Sequence, residues 1–237
     1  MSAIPPFYPL PLAAPGRARQ AVAMAAETGS PGPVPGPAPG PMYGEGARGL
    51  QDDFDSRRLA DRIVELTLHH ELDDDDIALV GDQAAVWLAT VDADGWPDVS
   101  YKGGAPGFVE VVGRTELRIP SYDGNGMFRS LGNVRDTGRV ALLFVDADRP
   151  WRMRVHGTGR VSTDPADTAR HTGAQAVLIV TVERVFPNCG RYVHRDGVIS
   201  EYVPTDDGPA PVPGWKRLPT INDALPADDP ARTDRPG

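Results

Sequence analysis

AAVWLATVDADGWPDVSYKGG, residues 84–104, reads as two strands joined by a tight turn: an apolar run leads into DADG at 92–95, and alternation resumes beyond it. Asp and Gly supply the side-chain acceptor and the permissive backbone that such a turn needs. In the second strand a period of two puts Ser100 and Lys102 on one face and Val99 and Tyr101 on the other. The pattern continues downstream. GFVEVVGRTELRIPSYD (107–123) is a second hairpin with Gly113 and Arg114 at its tip, and RVALLFVDA (139–147) is a strand apolar on both faces, which demands a cover on each side. WRMRVHGTGRVSTD (151–164) alternates Arg152, Arg154 and His156 with Met153, Val155 and Gly157, and AVLIVTVERVFP (176–187) is a long β-branched strand.

Helical spacing appears upstream and between strands. DFDSRRLADRIVELTLHHEL (53–72) places Leu59, Ile63, Leu66 and Leu68 or His70 at helical spacing behind the capping candidates Asp53, Asp55 and Ser56, and the DDDD run at 73–76 opens a second short helix. His69 and His70 are adjacent and cannot share a helix face, so HHEL with DDDD is read as a solvated cap, and no metal is assigned. A short helix over DPADTARHTG (164–173) separates the last two strands. Hairpin-linked strands with few helices predict a mainly β protein, an antiparallel barrel rather than a doubly wound sheet.

Composition narrows the class. The chain has 237 residues with 26 Gly and 25 Pro, and these gather at its ends. Residues 1–49 read as a disordered Pro/Gly-rich arm, 50–222 as one domain, and 223–237 as a flexible tail, because such end segments bury too little apolar surface to offset the entropy of ordering. The opening IPPFYPLPLAAPG is interrupted by prolines and lacks a preceding Lys or Arg, which argues against a secretory signal. No run approaches the length of a membrane helix. The single cysteine, Cys189, excludes an internal disulfide and points to a cytoplasmic chain, where it is expected to be a buried, inert thiol. A net charge of −9 argues against nucleic-acid binding through phosphate neutralisation. Trp87 and Trp151 are expected as packing residues.

SYDGNGMFRSLGNV (121–134) carries the chain from a strand through two glycines into an amphipathic segment. Asn125 is the expected N-cap, and Met127 or Phe128 with Leu131 the expected buried face. Gly124 and Gly126 permit close approach of another molecule, and free amides at a helix start attract an anion. Ser100, Lys102, Ser121, the 125–127 amides, Arg129 and the Arg152/Arg154 face would converge on one dianion if these strands are barrel neighbours.

Over SYKGGAPGFV, PSYDGNGMFRSLGNV, VALLFVD, MRVHG and FPNCGRYVH the chain, from about residue 54 to 219, resembles the pyridoxamine 5'-phosphate oxidase-like, FMN-binding split β-barrel family. The resemblance implies an antiparallel Greek-key split barrel and a homodimer with FMN in clefts at the subunit interface. It implies phosphate binding on PDVSYKG, with Ser100 at the family's arginine position and Lys102 as the cation. Pro120 and Ser121 fall along the flavin, and Asn125, Gly126 and Met127 fall on the phosphate-binding helix start. Gly126 and Met127 stand where the family often has Arg-Lys, so Arg129 is the expected replacement cation, and Arg152 stands where a glutamine commonly faces the ring.

GWKRLPTIND (214–223) lacks the histidine of the authentic oxidase's closing motif, which argues against pyridoxamine phosphate as substrate. FPNCGRYVHR is the expected substrate segment, with Arg191 as anion contact and Tyr192 or His194 as proton donor. The resulting expectation is an FMN-dependent oxidoreductase acting on a small organic substrate, with NAD(P)H as a candidate reductant. The alternatives are a deazaflavin-dependent reductase, or a non-enzymatic flavin- or haem-binding protein with His156 or His194 as axial ligand.

Overall fold

Seven antiparallel strands form one sheet in the order β2–β1–β5–β6–β7–β4–β3. The computed structural model describes residues 40–146, 149, 151–194, 197–206 and 208–233. The expected first hairpin is β1 (Ala85–Val91) and β2 (Pro97–Gly103), with Leu88 opposite Ser100 and Val86 opposite Lys102. Asp92 accepts the turn amides of Asp94 and Trp96, and Gly95 adopts a φ of +88°, which a side chain would resist. The second hairpin is β3 (Glu110–Val112) and β4 (Glu116–Ser121), followed by β5 (Arg139–Val145), β6 (Arg152–Ser162) and β7 (Ala176–Pro187). Pairing of β1 with β5 and of β4 with β7 joins strands that are distant in sequence. The result is a mainly β, Greek-key split barrel.

Alternation builds its core. Val86 and Leu88 of β1, Leu117 and Ile119 of β4, Leu142 and Phe144 of β5, Met153 and Val155 of β6, and Leu178 and Val180 of β7 are buried together. Strand β2 differs, because its positions facing the same side are Asp98, Ser100 and Lys102. A polar stripe thus interrupts the inner surface at one edge of the sheet.

The strand read as apolar on both faces alternates in fact. Val140, Leu142 and Phe144 are buried, while Ala141, Leu143 and Val145 are only partly covered. Their outer-face neighbours are more open: Trp87 is 44% exposed, Tyr101 58% and Val99 66%, so Trp87 is no core residue. Trp87 meets Tyr101 edge-on across the strand pair, with ring centroids 5.2 Å apart. Strand β7 is the one covered on both sides over Ala176–Val180, and it carries a bulge. His156 pairs with Arg184 and Gly157 with Val182, which leaves Glu183 as the extra residue.

The helices depart from expectation at their ends. Helix α1 (Glu45–Asp53) lies partly within the segment read as an arm, while residues 1–39 lie outside the described residues. Helix α2 (Arg57–Thr67) is shorter than the 53–72 pattern, since Asp55 adopts a φ of +46° and the chain extends from Leu68. Helix α4 (Arg129–Thr137) packs on the barrel, and α5 (Pro165–Thr168) matches the short helix expected before β7. The segment read as a flexible tail is packed over residues 223–233. Leu225 and Ala231 join Ile221 of α6 (Pro219–Asn222) against Leu59 and Ile63 of α2. Asn222 closes this unit by donating to Lys216 O (2.9 Å) and Ala231 O (2.7 Å) and by accepting from Thr233.

Helix α3 (Asp74–Asp82) begins with the expected acidic cap. Asp73 accepts from Asp75 N and Asp76 N, and Asp76 accepts from Asp73 N at 3.0 Å. His69 lies on no helix; it bridges Val185 of β7 through both backbone groups, and its Nε2 sits 2.6 Å from Asp76 Oδ2. His69, Asp73 and Asp76 therefore cluster within 4.8 Å, in a capping arrangement that engages each of them. The hydrogen bond to Asp76 holds His69 above its ordinary pKa, against partial burial. The contribution of the protonated imidazole is complete below the unfolded value of about 6.5 and is lost as pH rises through the folded value. The gap in thermal midpoint between the protein and His69→Gln is thus expected to be larger at pH 5.5 than at pH 8.5. A pH-independent gap would refute this coupling.

Candidate functional site

The polar stripe on β2 opens into a cavity of about 480 Å³ between this edge strand, the end of β4 and the start of α4. This size falls in the range of small-molecule sites. Asp98, Ser100 and Lys102 form one wall, Ser121 at the end of β4 and the 122–128 loop form another, and the first turn of α4 closes the third. The loop is anchored where Gln175 N donates to Ser121 O at 2.9 Å. Ser100 Oγ lies 2.9 Å from Ser130 Oγ, a buried hydroxyl that joins β2 to α4.

Of the expected site residues, Ser100, Lys102, Ser121, Asn125, Gly126, Met127 and Arg129 line this cavity together. Pro120 is buried in β4 beside it. The helix start differs from its reading. Phe128, not Asn125, is the N-cap, at φ 48° and ψ 22°, while Asn125 Oδ1 accepts Met127 N at 3.0 Å and so engages one of the amides expected to be free. Met127 and Phe128 are exposed, and Leu131 alone of the three is buried. Backbone access is nonetheless open at Gly124 and Gly126, where an added Cβ would meet nothing within 4 Å.

The cations divide in role. Arg129 reaches Asp92 at 3.4 Å and Asp98 at 3.5 Å, so it balances the acids of the first hairpin. Lys102 makes no ion pair or hydrogen bond with a described residue. Burial lowers its pKa, with Asp98 opposing, so its ammonium is poorly solvated and would gain from an incoming anion. Asp123, the other acid of the lining, accepts from Gln175 Nε2 at 3.2 Å. Ser130, Asp98, Tyr122 and Gln175 were not among the expected residues. Asp98 shares the period of Ser100 and Lys102 and was within reach of that reading; Gln175 arrives through long-range strand pairing.

Arg152, Arg191, Tyr192 and His194 do not line the cavity in this chain. Arg152 lies on β6 opposite Val145. The FPNCGRYVH segment turns after β7: Arg191 Nε donates to Cys189 Sγ at 3.2 Å, its guanidinium stands 5.6 Å from the Tyr192 ring centroid, and His194 Nδ1 accepts from Ser200 N. Cys189 is exposed, contrary to the buried thiol expected. His156 lines a separate hollow of about 340 Å³ on the outer sheet face with Arg139 and Arg184, and burial, with the charges of Arg154 and Arg184, lowers its pKa. No helix among the described residues is long and apolar enough to cross a membrane.

Residues 73–189, from the cap of α3 to just past β7, match the family model described as pyridoxamine 5'-phosphate oxidase. Among solved structures, HupZ of Group A Streptococcus is similar over 54% of this chain and 98% of its own, with 23% identity and a TM-score of 0.40. An FMN-binding protein from Syntrophomonas wolfei is similar over 60% and 95%, with 13% identity and a TM-score of 0.37. The FAD binding protein from Mycobacterium smegmatis is similar over 50% and 95%, with 16% identity and a TM-score of 0.36. No curated protein matches the chain.

Proposed function

Over residues 73–189 the chain belongs to the pyridoxamine 5'-phosphate oxidase family, and on that premise we propose that it is an FMN-dependent oxidoreductase acting on a small organic substrate, with NAD(P)H as reductant. The observation that carries this reading is Lys102, a partly buried cation without a carboxylate partner among the described residues, facing a cavity whose other walls offer hydroxyls and open glycine backbone. Those residues fit a phosphate monoester.

Lys102 would meet the phosphate charge, with Ser100 and Ser121 as hydroxyl donors. Arg129 would act at one remove, cancelling the charge of Asp92 and Asp98 that would otherwise repel a dianion. Bound flavin supplies two-electron chemistry, while the protein supplies binding, orientation and electrostatics. On the outer face Trp87, Val99 and Tyr101 are exposed, and Leu143, paired with Trp87, is only partly covered. This face supports a homodimer with the cofactor at the subunit interface, in which Arg152, Arg191, Tyr192 and His194 would be presented to the site from the second copy.

The test is the visible spectrum of the purified protein with an FMN titration. Saturable binding of one FMN per chain, with flavin bands that bleach on NAD(P)H, is the expected result. A folded protein that binds no FMN would overturn the flavin reading, and an intense Soret band would replace it with haem. Light scattering is expected to give a dimer that Leu143→Asp converts to monomer, since a charge would then have to be buried at an apolar contact. A monomeric parent protein that still holds FMN would remove the interfacial cleft.

A further inference from the structure

Beyond the first turn of α4 lies another hollow of about 320 Å³, walled by Phe128, Leu131, Gly132, Val161 and Ala176, with Arg135 as the ionisable side chain on its lining. It shares Phe128, Leu131 and Gln175 with the larger cavity. We infer that this hollow is a binding site for a small amphipathic anion, an aromatic carboxylate whose apolar body fills the cavity while its charge meets Arg135. The site goes beyond the flavin reading and does not depend on it.

Three observations carry the inference. Arg135 is exposed and makes no ion pair with a described residue, in a chain where acids outnumber Lys and Arg by 33 to 24. Phe128, which walls both cavities, holds a φ of +48°. A bulky residue adopts this conformation only under strain, and strain of this kind concentrates at ligand clamps.

Gly132 is the third. It sits within α4, where glycine is less favourable than alanine by roughly 0.5–1 kcal/mol. Gly138, the C-cap of the same helix, has a φ of +67°, but Gly132 has no such backbone requirement, and a Cβ built on it would meet nothing within 4 Å. Neither a turn nor a close neighbour demands this glycine. What a side chain there would take is the open space beside the cavity.

The test is calorimetric titration of the full-length protein with 1-naphthoate. One saturable site is expected, with at least ten-fold weaker binding of the neutral 1-naphthalenemethanol. Arg135→Gln is expected to weaken naphthoate about ten-fold, the scale of one lost charge-assisted contact. Gly132→Leu is expected to abolish naphthoate binding while leaving the thermal midpoint unchanged or higher. FMN affinity should be unchanged in both variants, which separates this site from the flavin cavity. Absence of saturable naphthoate binding, or wild-type affinity in folded Gly132→Leu and in Arg135→Gln, would overturn the inference. If Gly132→Leu does not fold, Arg135→Gln alone decides.

Discussion

Replacing Lys102 by alanine is expected to weaken FMN binding by about 1.5–3 kcal/mol, roughly ten- to a hundred-fold, read by quenching of flavin fluorescence on titration. The size follows from the setting of the residue. Arg129, the other cation of the cavity, is held at 3.4–3.5 Å from Asp92 and Asp98. A phosphate would therefore lose its main unpaired counter-charge with Lys102, and the remaining hydroxyls and amides would not restore it. Lys102→Arg should retain most of the affinity, because it keeps the charge at the same register position opposite Val86. Arg129→Ala should have a smaller effect and should also loosen the first hairpin, since its acids are then left unbalanced. Equal FMN affinity in folded Lys102→Ala and the parent protein would take the residue out of the site.

The second large effect is expected far from the cavity. Gly157→Ala should destabilise the fold by about 3 kcal/mol, the upper part of the range for overpacking, and lower the thermal midpoint by roughly 6–12 °C. A Cβ at this position would stand 2.0 Å from Thr181 O and 3.0 Å from Thr181 C. Both contacts are with backbone, so no rotamer change relieves them. The adjacent strands would have to separate at the bulge that leaves Glu183 unpaired. Gly159 provides the contrast. Its added Cβ would meet the side-chain tips of Val140, Leu178 and Val134 at 3.0–3.1 Å, and those can shift. Gly159→Ala should cost less, and a calorimetric ranking of the two in the opposite order would contradict the backbone-clash account.

The period-two pattern of 84–104 placed Ser100 and Lys102 on the face opposite Val99 and Tyr101, and the structure has that division. Hairpin turns at Gly95 and Gly113 were legible from their glycines, and both hold the positive φ that glycine permits. The acidic cap of α3 was legible too, since a side chain that accepts amides two and three residues ahead is a local event. Local rules failed where distant contacts decided. Asp223 to Thr233 look like a tail in composition but pack against α2 through Leu225, Ala231 and the hydrogen bonds of Asn222. One miss was local: Asn125 accepts Met127 N two residues on, and the helix is capped only at Phe128.

By itself, then, the order of residues determined the strands, the two faces of β2 and the alignment of one cation with one hydroxyl on it, since alternation and turn chemistry act over a few residues. Tertiary structure alone decided that the edge strand β2, the end of β4 and the start of α4 enclose one cavity, that Arg129 is held by acids while Lys102 is not, and that Gly132 borders a second hollow. Each of these depends on how distant segments share space and charge, and no local periodicity encodes that.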